Sequence, residues 1–362
     1  MVGSARVVVR SVGAANPSAA LVLAQALPLS REHVARCVYQ APAVLMGGLP
    51  EQQAQALCQL LQKTGLDVGV DNGDAPLATG GPDYEVAVHV SDASRFREVA
   101  AAVAAFVGCA PSRAVDMLCG SPAVVLGQVS LNTVQALAER LAPLDAQLDA
   151  SRVADARYDL FVDDGQPDLR QRLRRELTEF DIECQAQGPL LASALDRACA
   201  QALWQRHSGQ GGWRLLDQAM QRFDLWLEAP AVEAPAVAAV LACTGMPAGL
   251  LPQVNAGLPF LLAECLPGVQ ARDALLALHD AGVRASAKLV TLSRWDLTLQ
   301  SAADARAAAH VLARVGGLEA AQAAQALLRL PQRLAAGLTL PRARWLQAEL
   351  AAVGCPSELE PR

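Results

Sequence analysis

Lysine is nearly missing from this chain. Of its 30 basic residues only Lys63 and Lys288 are lysines, and the rest are arginines. Aromatics make up 4% of the chain and the formal charge is −6. A nucleic-acid surface needs positive potential with aromatic stacking partners, so none is expected. No uninterrupted apolar run reaches the ~18 residues of a membrane-spanning helix, which predicts no transmembrane segment. The opening "MVGSARVVVR" has no cationic start followed by a long apolar core, so no signal peptide is expected. The nine cysteines are scattered, odd in number and never spaced Cys-x-x-Cys. Cys37, Cys58 and Cys199 fall on apolar helix faces. A reduced, cytoplasmic protein without metal or cofactor is the expectation.

What the 362 residues do contain is one phrase written four times. "APAVLMGGLPEQQAQALCQLLQKTG" returns around Pro122, Pro259 and Pro331 as it stands around Pro42. Eight residues beyond these prolines lie Pro50, Ser130, Pro267 and Thr339, all suited to open a helix. Twenty-three residues beyond lie Gly65, Asp145, Gly282 and Gly354, where a helix should stop. Between start and stop the apolar residues recur at helical spacing. Ala54, Leu57, Cys58 and Leu61 form one stripe, Val134, Leu137, Ala138 and Leu141 another, and the leucines are predicted core residues.

A strand-like run precedes each proline by 35 residues: "RVVVRSV", "VAVHV", "DLWL" and "DLTL". Two helical segments separate the two, and alternation after the closing glycine (Leu66, Val68, Val70) suits a last strand. Each unit then reads strand–helix–helix–strand–helix–strand over about 70 residues. The expected class is α/β in a two-layer α+β arrangement, as small modules in tandem. Proline intervals of 80, 137 and 72 residues place a diverged module in the long gap, around Pro189. There Asp196 and Ser208 occupy positions that should be apolar. The expected boundaries are 1–72, 84–152, 153–221, 222–290 and 291–362. The glycine- and proline-rich stretch 71–83 should be a flexible joint, so the modules are expected to behave as beads, the first of them autonomous over residues 5–72.

On these residues the module resembles the C-terminal domain of the bacterial ribosomal stalk protein, most closely over residues 5–72. The resemblance implies the same element order and a protein-docking role. It does not carry over the stalk domain's recruitment of translation GTPases. That recruitment uses lysines on the second helix, ten and seven residues before the proline, where this chain has Glu32 and Ala35, Ser112 and Val115, Gly249 and Pro252, Ala321 and Ala324. Pro252 should also kink or break that helix in the fourth unit. The same fold serves elsewhere as an adaptor that hands substrates to a bacterial protease.

No residue cluster spells a reaction. His33 and Cys37 share a helix face, but zinc needs three or four ligands. Cys109 and Cys119 should pack. His89, His279 and His310 lie on separate elements and form no triad. "HSGQGGW", residues 207–213, lacks the phosphate-loop pattern and reads as a loop between two helices. Arg170, Arg172, Arg174 and Arg175 are flanked by Asp168 and Glu176, as on a solvated helix or a protein contact. Asp163 and Asp164 mark a turn. The expectation is a non-enzymatic scaffold or adaptor that docks protein partners in a multi-subunit assembly, with self-association allowed. The alternatives are a ribosome- or translation-factor-associated recruiter, and an enzyme with a site at a module interface. All five tryptophans fall in the later half. Trp226 and Trp295 are expected in module cores. Trp204, Arg342, Arg344 and Trp345 are the candidate protein-binding residues, and residues 222–362 the expected docking platform, with the first module reaching out to a second partner.

Overall fold

The structure, a computed structural model, describes residues 5–16, 27–73 and 83–362. The first helical segment expected before Pro28, and most of the joint expected at 71–83, lie outside the described residues. The fold is α+β. Among the described residues five three-stranded antiparallel sheets follow one another, and in each the first strand in sequence is the middle strand. The middle strands are Ala5–Ser11, Tyr84–Val90, Tyr158–Val162, Arg222–Leu227 and Arg294–Leu299. We number the modules one to five accordingly. Among the described residues, no single helix is long and apolar enough to cross a membrane.

The phrase spacing has a local physical origin. Pro50, Ser130, Pro267 and Thr339 are each the N-cap of the third helix of their module. The Ser130 hydroxyl accepts from the Thr133 amide and so satisfies one of the otherwise orphaned N–H groups. The stop residues Gly65, Asp145, Gly282 and Gly354 all have positive φ, between 54° and 90°, a conformation that ends a helix and that glycine adopts at no steric cost. The four phrase prolines all follow cis peptide bonds.

The third module carries the same design shifted by one residue. Its third helix, Arg197–His207, is capped by Asp196, whose carboxylate accepts from the Cys199 amide, and Ser208 is its C-cap. The two residues that looked misplaced are therefore the helix's ends, while Cys199, Ala200, Leu203 and His207 face inward. Gly212 then turns the chain with φ 86° into the strand Trp213–Asp217. "HSGQGGW" thus joins a helix to a strand, not two helices. Pro252, likewise, opens a helix instead of breaking one: it sits in the first turn of Leu251–Ala256, where a missing N–H costs nothing.

Every second strand carries a bulge. Its register against the middle strand shifts, and Gly48, Gln128, Ala194, Cys265 and Gly337 there have positive φ. In three modules an aspartate of the middle strand holds this bulge. Asp159, Asp224 and Asp296 accept from the amides of Ala194, Cys265 and Gly337 at 2.9–3.0 Å. The Gly337 amide, with Arg333 opposing the cost of desolvation, holds the Asp296 carboxyl below the usual carboxylate range. Asp159 also accepts from Ser193, Gln218 and Gln221, each at 2.7 Å. The last two belong to the segment that joins modules three and four, so this one buried carboxylate ties the joint to the sheet. Asp159→Ala leaves these donors without an acceptor and is expected to destabilise the 153–293 region by about 1–3 kcal/mol, read as a shift in its urea midpoint.

The modules form two compact units. One comprises modules one, two and five, the other modules three and four, with boundaries between Arg152 and Val153 and between Ser293 and Arg294. Within the first unit a single hydrophobic cluster runs through all three modules, including Val7, Phe96, Leu137 and Trp345. In the second, the cores around Leu173 and Val240 are separate clusters. Leu61, Leu137 and Leu141 are fully buried, whereas Leu57 is half-buried against the same cluster. Trp226 is not in the core. Leu225 and Leu227 take the core face, and alternation turns Trp226 to the other face, beneath the Lys288 ammonium at 4.7 Å. Trp295 is half-buried.

Candidate docking site

The first unit shows what these modules do with their surfaces. Each contact joins a plug on one module to a seat on the next. The plug is the end of the second helix, joined in module two by the start of the first; the seats of modules two and five lie between their first and third helices. In the first contact, Tyr39 at the end of helix Arg31–Tyr39 inserts between helices Phe96–Val107 and Leu131–Leu141 of module two. Its hydroxyl donates to the Phe106 carbonyl at 2.8 Å, and the rings lie 6.4 Å apart. Its own carbonyl accepts from the Ser130 amide at 3.0 Å and the Thr133 hydroxyl at 2.8 Å. Arg140 donates to the carbonyls of Ala14 and Ala15 and lies over the Phe106 ring.

Module two repeats the contact with its own plug on module five. Cys119 stands where Tyr39 stood, three residues before the phrase proline, and its carbonyl accepts from the Thr339 hydroxyl at 2.6 Å. Thr339 corresponds to Ser130. Phe96 stacks on Trp345 of helix Leu340–Ala352 with centroids 4.4 Å apart and planes at 12°. Glu349, which corresponds to Arg140, pairs with Arg97 of the plug and with Arg314 at 2.8 Å, and accepts from the Trp345 indole. Desolvation pushes the Glu349 carboxyl up, but these donors and charges outweigh it and hold it below the usual glutamate range.

Module four carries a seat at the same place, and among the described residues nothing fills it. A groove of about 420 Å³ runs between helices Ala234–Thr244 and Gly268–Asp280, lined by Ala239, Ala242, Cys243, Gln270, Ala274 and Ala277 among others. By position in the phrase, Cys243 stands for Phe106, Gln270 for Thr133, and Ala277 for Arg140 and Glu349. The helices that frame the seats end in step, with Gly108, Gly245 and Gly317 all left-handed C-caps. Small side chains leave the module-four groove open where Phe106 and Arg140 fill the seat of module two.

Of the residues expected to bind a partner, Trp345 is spent inside the chain, 7% exposed against Phe96. Arg342 donates to the Val315 carbonyl at the end of the first helix of its module, and Arg344 is half-buried on the same helix. Trp204 is 56% exposed beside Trp213, in the other unit. Trp204 thus belongs to one compact unit and the other three residues to the other. The expected platform 222–362 is likewise divided between the units, and the first module sits on the second instead of reaching out. The seat residues Phe106, Thr133 and Arg140 were missed. Their signal was present in the hydroxyls of Ser130 and Thr339, in modules two and five, against Pro50 and Pro267 in modules one and four.

The other candidate groups have structural partners. His33 contacts the Leu45 carbonyl at 3.0 Å and the Cys37 thiol at 3.6 Å. Burial pushes the thiols of Cys37 and Cys243 up, and that of Cys119 up to about 11, which leaves them protonated near neutrality. Arg170 and Arg174 donate to carbonyls of Gln185 and Gly188, pinning the loop after their helix. His207 pairs with Glu176 at 2.9 Å, and its carbonyl accepts from the Trp213 indole. Among the described residues no three of His, Cys, Asp and Glu are placed to hold a metal ion. Comparison with protein-family models, with curated proteins and with solved structures finds no match to this chain.

Proposed function

We propose that this chain is a non-enzymatic scaffold that docks proteins through the seats and plugs of its modules and holds them in a larger assembly. The observation that carries the reading is the reuse of one contact. The same plug and the same seat meet twice within one unit, and a third seat stands open on module four. A surface that binds modules in two places has the shape and polarity for protein docking. Several such sites on one chain gain avidity because the second contact forms at high effective concentration. The resemblance to the ribosomal stalk domain points the same way, toward partners that are proteins.

The tagged full-length chain, used as bait in native lysate of its source, should recover a small set of proteins in reproducible ratio. Ala242→Glu, which puts a charge into the groove, should lower that recovery. Recovery of nothing beyond the chain itself would overturn the scaffold reading.

A further inference from the structure

The contacts inside the first unit are heterologous: a plug on one module meets a different surface, the seat, on another. A series of such contacts that does not close into a ring leaves an unused plug at one end and an unused seat at the other. In the order one, two, five, the plug end is module five. The residue at its Tyr39 position is Leu328, which is 82% exposed, at the end of the helical segment Ala320–Arg329. At the same position modules three and four carry only alanines, Ala186 and Ala256. Among the described residues, Leu328 is thus a large apolar plug residue without a seat, and the groove of module four a seat without a plug.

We infer, resting on the docking reading above, that the groove of module four takes the Leu328 plug of module five from a second copy of this chain. The chemistry of the two faces matches. In module two the seat is built for a tyrosine, with the Phe106 carbonyl for its hydroxyl and Arg140 at the rim. In module four Cys243 and Ala277 stand in place of Phe106 and Arg140, leaving apolar space for a branched aliphatic side chain that has no polar end to satisfy. One polar contact is still required, because the plug carbonyl accepts a side-chain hydroxyl in both filled seats. Pro267 has no N–H or hydroxyl for this, but Gln270 stands at the Thr133 position with an amide that donates. Filling the groove covers exposed apolar surface on both sides, including Leu328 and the alanines of both groove helices.

The test uses purified full-length chain, so its result is independent of any other partner. Sedimentation velocity should show a weight-average mass that rises with concentration. Leu328→Asp and Ala277→Arg lie at exposed positions, and each alone should hold the chain monomeric. Mixing these two variants should restore a dimer and nothing larger, because the plug of one and the groove of the other are intact. As a second measurement, Leu328→Cys should form a disulfide with Cys243 of another copy when an added copper–phenanthroline oxidant takes up the two electrons, and Cys243→Ser should abolish the product. A wild-type chain that stays monomeric at all concentrations overturns the inference. So does a mixture that stays monomeric, or a 328–243 cross-link that migrates as a monomer. None of these outcomes removes the scaffold reading, which fails only if the bait experiment recovers no other protein.

Discussion

Trp345→Ala is expected to destabilise the first unit by about 3–5 kcal/mol, the range for truncating a buried tryptophan. The indole stacks on Phe96 of module two, and its N–H donates to Glu349. Truncation therefore opens a cavity and loosens the carboxylate that holds Arg97 and Arg314. Urea unfolding followed by circular dichroism gives the stability change, and hydrogen exchange gives its location. Protection should fall at helix Leu340–Ala352 and at the start of helix Phe96–Val107 together. Loss confined to module five would mean that the stack does not join the modules. The same contact has a pH dependence with a definite sign. The folded Glu349 carboxyl lies below its unfolded value, so its contribution is complete above the ordinary glutamate range and is lost as pH falls through the folded value. Acidification should weaken the contact between modules two and five before it affects that between modules one and two, where Arg140 takes the place of the carboxylate.

Leu137→Ala comes next, at about 2–5 kcal/mol for a fully buried leucine. Its location carries the information. Leu137 belongs to module two, the middle of the series, and its cluster continues into modules one and five. If the three modules share that core in energy as they do in space, exchange protection should drop across residues 5–73 and 294–362 as well as 83–152. Residues 153–293, the other compact unit, should keep theirs. A drop confined to 83–152 would restore the picture of independent beads. By the same reasoning the isolated segment 5–72 would uncover Tyr39 and the carbonyls that Arg140 and Asn132 engage.

Local chemistry was legible in the linear order because it acts over short separations. N-caps, left-handed stops and apolar stripes depend on residues within a few positions of one another, and so the third helix of each module could be placed from its phrase. The α+β class followed from the same periodicities. Even the one-residue shift of module three is local, with Asp196 visible as an N-cap once the frame is moved.

Which modules meet was not written in their order along the chain. Modules four and five are joined strand to strand, through a connection expected to fix their relation. Yet module five shares its core with modules one and two. That choice rests on side chains about 250 residues apart finding complementary faces, Phe96 with Trp345 and Arg97 with Glu349. Periodicity cannot report such pairs, because each helix presents the same apolar stripe whether its outer face meets water or another module. Trp345 read as a surface anchor for that reason, since a tryptophan beside arginines has the composition of an interface. The partner it meets lies in the same chain.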